Sequence, residues 1–225
     1  MATFKLDRIA GIEESMKYMR LPKGSKSDTP EYTYYECDVP KPRCYEIDIE
    51  NDYDIMVGGR DWELANRLSV SKGGTGHDNY LKGIVVWVTV TAPHYWWNQA
   101  QRYHWFDIVS SSSKMHTLLN DNIYDRCPDC EVEQLDYLAD LISDHKENPE
   151  LYTFENVLNA VPMGYELTAG VVTNYLQLKT MYRQRKHHKL SHWNKDFAQF
   201  VVNLPLSELI TKKPVTNSSF PIEQD

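Results

Sequence analysis

Residues 76–116 read GHDNYLKGIVVWVTVTAPHYWWNQAQRYHWFDIVSSSSKMH, and this stretch decides the fold. Gly83 to Ala92 is apolar and rich in β-branched residues, which predicts a buried strand. Pro93 breaks it and suits the first turn of a helix. An aromatic-rich helix follows from about His94 to Trp105, with Gln99, Arg102 and His104 on or near it. A run of hydroxyls, Ser110 to Ser113, comes next and is closed by Lys114. A strand, a helix bearing Gln and Arg, and a serine loop with a cation together suit an anionic nucleotide. Successive loop N–H groups beside a cation make a nest for phosphate. The plain readings are a polar connection for the serines and core or oligomer packing for the aromatic helix.

Outward from this stretch the periodicity alternates between helix and strand. Ile9, Ile12, Met16 and Met19 fall three or four apart and predict an amphipathic helix over 8–20. Residues 32–39 and 44–49 read as two strands joined by a Pro-rich turn. Asp61 is placed to cap a short helix ending near Leu68. Residues 72–76 form a glycine-rich connection without the order of a P-loop. Val132, Leu135, Leu138, Ala139 and Ile142 mark one face of a helix over 131–145. A short helix over 153–159, a strand over 165–172, a helix over 174–189 and another over 193–202 complete the pattern. The chain is thus read as one α+β domain over 1–210 with a loose tail over 211–225.

Net charge is −8, from 24 basic and 32 acidic residues, which argues against a nucleic-acid-coating protein and leaves room for a local basic pocket. No apolar run approaches the ~20 residues of a membrane span. The start, MATFKLDRIAG, lacks the apolar core of a signal peptide. A cytoplasmic protein is expected. Four cysteines are present, and Cys127-Pro-Asp-Cys130 is a single CxxC. Cys37 and Cys44 are spaced widely for a zinc knuckle, so reduced thiols are the expectation. His187, His188 and His192 lack a carboxylate or thiolate at ligand spacing, and no metal site is assigned. Arg183, Arg185 and Lys186 crowd a helix end, where cations are favoured by the helix dipole alone.

The same residues resemble the signature region of flavin-dependent thymidylate synthases. That family carries a histidine-led segment, a strand, an Ala-Pro, and a helix with Gln three places before the pattern RHRxxSxNExSxRY. Gly76-His77 matches the opening and Ala92-Pro93 the strand end. Gln99 stands three before Arg102, and Ser112 and Lys114 fall at the last Ser and Arg. Val161-Pro162, Thr173-Asn174 and the helix from Leu178 to Arg185 match a second family segment at the same separations. The chain departs from the pattern at Tyr103, His104, Asp107, Val109, Ser110 and Met115, and Thr168 stands where the family has an arginine.

The resemblance implies an α+β fold, a mixed or antiparallel sheet flanked by helices, assembled as a homotetramer with sites built across subunits. It implies a small-molecule nucleotide, dUMP, held by Gln99, Ser112, Lys114 and Arg185. Arg185 takes the catalytic role, since a permanent cation near the uracil oxygens stabilises charge developing on the ring. Arg102, Tyr103, His104 and Asn174 fall on the flavin side. The reaction implied is C5 methylation of uracil with FAD, methylenetetrahydrofolate and NADPH. The departures cluster on the flavin side, so FAD is expected to be weakly held. Two other readings stand beside this one: a non-catalytic or re-purposed nucleotide-binding relative, and a structural or interaction protein that keeps only the scaffold.

Overall fold

The computed structural model describes residues 1–30, 57–71 and 74–213. The strands expected over 32–39 and 44–49, Cys37, Cys44 and the tail beyond 213 lie outside the described residues. The described elements are β1 (Thr3–Ala10), α1 (Ile12–Tyr18), a 3-10 turn (Leu21–Lys23), α2 (Gly59–Ser69) and a second 3-10 turn (Asn79–Gly83). Then come β2 (Val85–Pro93), α3 (His94–Ala100), β3 (Phe106–Ser111), α4 (Lys114–Thr117), α5 (Ile123–Arg126), α6 (Val132–Glu147) and α7 (Phe154–Ala160). Last are β4 (Glu166–Asn174), α8 (Tyr175–Arg185), a π-helical turn (His192–Phe197) running into α9 (Ala198–Val202), and α10 (Glu208–Thr211).

The strands form one antiparallel sheet in the order β1-β2-β4-β3. The α+β expectation holds, and among the described strands the sheet is antiparallel throughout. Period two explains its faces. Val86, Val88, Val90 and Ala92 of β2 and Ala169, Val171 and Thr173 of β4 are buried, while the residues between them are half-buried. The buried face packs on α1, α2, α8 and the π turn in the larger of two hydrophobic clusters. Trp96 of α3 is its centre, stacked on Trp193 at 4.6 Å and edge-on to Trp97 at 5.0 Å. Such aromatic pairs add about 0.5–1.5 kcal/mol each beyond area burial. A second cluster gathers Leu118, Ile123, Leu135, Leu138, Val157 and Tyr165 under α6 and α7.

Five expectations are corrected. The helix expected over 8–20 begins at Ile12, and Ile9 belongs to β1. A bulge between Leu6 and Arg8 interrupts the alternation of Phe4, Leu6 and Ile9, which hides the strand in sequence. Gly11 separates strand from helix with φ +83°, and a Cβ there would strike the carbonyl of Gly83. The aromatic helix stops at Ala100, because 101–105 turns to start β3. Ser110 and Ser111 lie in β3, opposite Gly170 and Ala169, and not in a loop. Asp61 is the third residue of α2 and fully buried, so it does not cap that helix. On α6 the apolar face is Leu135, Leu138, Leu141 and Ile142, with Val132 exposed.

Candidate functional site

Three of the expected site residues meet at one place. Gln99 is on the last turn of α3, Tyr103 is in the turn that follows, and Arg185 ends α8. Arg185 Nη1 donates to Gln99 Oε1 at 3.1 Å, and Arg185 Nε donates to the Tyr103 hydroxyl at 2.7 Å. The Tyr103 hydroxyl donates in turn to Gln184 Oε1 at 2.9 Å. Trp193 Nε1 donates to the same Gln99 oxygen at 3.1 Å. The guanidinium carbon lies 4.6 Å from the Trp193 ring centre and 5.4 Å from that of Tyr103. Cation–π attraction of this kind contributes about 0.5–2 kcal/mol. A guanidinium has five N–H donors. Two are used, and the other three have no acceptor among the described residues. The arrangement is a fixed, half-buried cation with donors to spare.

Trp193 and Gln184 complete this cluster and were not anticipated as site residues. Nothing in the local pattern distinguishes Trp193 from a core tryptophan, and it is also one. His188 lies nearby, its ring 6.5 Å from that of Trp193. Burial, helped by the charges of Arg185 and Lys189, pushes its imidazole below the ordinary value, so it is neutral at pH 7. His192, four residues on from His188, is buried. Its Nε2 meets the Tyr95 hydroxyl at 2.7 Å and its Nδ1 meets Asp196 at 3.0 Å.

The other expected residues lie elsewhere. Ser112 continues the β3 pairing: its N–H donates to Thr168 O at 2.8 Å, and its hydroxyl accepts from Thr168 N at 3.1 Å. The serine nest expected from the sequence is therefore spent on the ladder at this N–H. Lys114 opens α4, half-buried, and burial lowers its ammonium from the ordinary lysine value. Burial, with the charge of Lys114 close by, also lowers His94. Asn174 is the N-cap of α8, its Oδ1 accepting from Gln177 N at 2.9 Å. Arg102 and His104 are exposed on the turn over 101–105. That turn is tied to the end of β4 by the Thr173 hydroxyl, which donates to Trp105 O at 2.6 Å.

The expected residues thus fall at two ends of one strand. Phe106, three residues after Tyr103, pairs with Thr173, while Ser112 pairs with Thr168, five residues back along β4. At about 3.4 Å per residue those ends are ~17 Å apart.

Among solved structures, two of flavin-dependent thymidylate synthase ThyX from Helicobacter pylori, each with FAD and dUMP, share this architecture. One has a TM-score of 0.63 at 13% identity and covers 95% of this chain and 100% of its own. The other has a TM-score of 0.66 at 14% identity and covers 94% and 98%. The fold is that of the flavin-dependent thymidylate synthases. No protein-family model matches the sequence, and no curated protein matches it. Among the described residues no helix is long and apolar enough to cross a membrane, and no group of three or more His, Cys, Asp or Glu side chains gathers at metal-binding distance.

Proposed function

We propose that this chain binds a pyrimidine deoxynucleotide, dUMP, with Arg185 against the uracil ring. The observation that carries this is the clamping of Arg185 by Gln99 and Tyr103 with three donors left over. A cation so fixed is already oriented for charge that develops on a ring oxygen, and costs no reorganisation when it does. Gln99 spends its carbonyl oxygen on Arg185 and Trp193, so its amide N–H groups face outward as donors. Lys114 supplies the phosphate charge. Because it sits at the far end of β3, a nucleotide reaching both Lys114 and Arg185 spans two copies of the chain. The exposed side chains of Trp105, Val109 and Met115, on and around edge strand β3, suit such an assembly, with a homotetramer as the expected state.

The residues present fit a flavin at the turn over 101–105, where a permanent cation and an imidazole are exposed beside Trp105. Arg102 and His104 would hold it. Tyr103 is committed to Arg185, and Asn174 Oδ1 to its helix cap. When bound, FAD supplies the reducing equivalents for C5 methylation, with methylenetetrahydrofolate and NADPH as co-substrates. Arg185 and Gln99 hold the uracil, and Trp193, fully buried beneath the guanidinium, holds Arg185 in place.

The commitment of Tyr103 and Asn174 to protein partners favours a second reading, a nucleotide-binding relative without flavin chemistry. Calorimetry with dUMP and an absorption spectrum of the purified protein separate the two. Saturable dUMP binding with a flavin spectrum supports the enzyme. Binding without flavin, and without turnover when FAD is added, supports the second reading. No dUMP binding overturns both.

A further inference from the structure

A cavity of about 400 Å³ opens between the turn after α1 and one face of α2, lined by Arg20, Arg60, Glu63, Leu64 and Arg67. It shares no residue with the Arg185 cluster. The α2 residues fall at three-, four- and seven-residue spacing, so they stand on one helix face. Arg20 reaches it from across the turn, with Nε donating to Asp61 Oδ1 at 2.6 Å. Asp61 is itself immobilised. Its other oxygen accepts from the Ser27 hydroxyl, from Asp28 N at 3.1 Å, and from Thr29 N and Oγ1 at 3.0 and 2.7 Å. The Arg20 guanidinium is thereby held in one orientation, yet its Nη2 is buried with no acceptor among the described residues. A buried donor left in this state is costly.

The acidic side chains nearby are mostly spent. Asp28 accepts from the backbone N–H groups of Arg60 and Asp61 at 3.0 and 2.9 Å, and from Arg60 Nε at 3.3 Å. Arg67 and Glu63 have no ion-pair partner among the described residues. Three arginines therefore line one concave space, and among the described residues one carries an unmet donor and another has no carboxylate.

We propose that this cavity is a second ligand site, for a small molecule bearing a phosphoryl group. Guanidinium forks match phosphate oxygens two at a time, and three of them saturate a tetrahedral anion better than a planar carboxylate. An anion seated there meets the charge of Arg20, Arg60 and Arg67 together. Glu63 is placed to accept from a hydroxyl or amine on the same ligand, and Leu64 gives an apolar wall. The volume suits a small metabolite.

The test is calorimetry on the full chain with pyrophosphate as the probe, at low ionic strength. Saturable binding is expected, retained in Arg185→Ala and weakened roughly ten- to hundred-fold in Arg67→Ala. Arg67 has no ion-pair partner among the described residues, so its loss is expected to leave the fold intact, which a melting curve verifies. Arg60→Lys keeps the charge and loses the fork, and is expected to weaken binding as well. Citrate is expected to bind more weakly than pyrophosphate. The proposal is overturned if pyrophosphate does not saturate, if its binding is unchanged in Arg67→Ala, if it vanishes in Arg185→Ala, or if citrate binds more tightly.

Discussion

Arg185 and Trp193 share one acceptor: Arg185 Nη1 and Trp193 Nε1 both donate to Gln99 Oε1, each at 3.1 Å, with the guanidinium carbon 4.6 Å from the indole centre. Two donors on one carbonyl oxygen fill its lone pairs and fix which way the Gln99 amide points. Trp193 also stacks on Trp96, the centre of the larger core. The cation is thus positioned in part by the core itself, with Tyr103 of the turn after α3 holding its Nε.

This sharing separates stability from binding at Gln99. Gln99→Glu keeps both acceptor contacts and adds a charge pair with Arg185, so the melting temperature is expected to hold or rise. It removes the amide donors and brings negative charge to the nucleotide, so dUMP affinity is expected to fall by roughly ten-fold or more. Melting curves and calorimetry on the one variant check both halves. Unchanged dUMP affinity would remove Gln99 from the site.

Acid stability is expected to depend on Asp61. Burial alone would raise its pKa, but hydrogen bonds from Ser27, Thr29 and Arg20 outweigh it and hold the carboxyl below the ordinary 3.8. A depressed folded-state pKa stabilises the fold above the unfolded value, and that contribution is lost as pH falls through the folded one. The loss therefore falls below about pH 4. Asp61→Asn leaves Arg20 uncompensated and is expected to cost about 3–5 kcal/mol at neutral pH, read from urea unfolding. The variant's stability should also vary less with pH below 4 than the parent's.

The central strand is legible because β2 is both β-branched and stopped by Pro93, and α6 because its apolar residues keep helical period over about two turns. β1 is not, since the bulge at Asp7 breaks the alternation that reveals strands. β3 is hidden for another reason. It is an edge strand with only Phe106 buried, so its sequence carries no apolar face, and its serines read as loop. At the site, Gln99 and Arg185 could be named from motif spacing. Trp193 could not, because its contribution is a tertiary contact between α3 and the π turn.

Lys179 tests how the α8 helix is anchored. Its ammonium is buried and donates to Asp78 Oδ2 and to Ser69 O, each at 2.6 Å. Burial lowers its pKa, against the opposing pull of Asp78. Lys179→Met strands a buried carboxylate and is expected to cost about 3–5 kcal/mol. Adding Asp78→Leu to it removes the stranded charge and should recover much of that loss. If the double variant is no more stable than the single one in urea unfolding, the pair is not the determinant.

The two ends of β3 separate the two cations assigned to the nucleotide. Arg185 and Lys114 belong to clusters ~17 Å apart along the sheet, as five residues at about 3.4 Å each require. The proposed nucleotide site, built across two copies, takes one of them from each. Arg185→Ala and Lys114→Ala should then each abolish tight dUMP binding when expressed alone. Co-expressed in one assembly, they should restore it. Across a two-fold interface one mixed site carries both substitutions and its symmetry mate carries neither, so about a quarter of sites regain both residues on random mixing. Calorimetry on the co-purified mixture reads that fraction as stoichiometry at the parent's affinity. No restored sites in a mixture shown by mass spectrometry to be co-assembled would place both residues' roles within a single chain, or remove Lys114 from the nucleotide site.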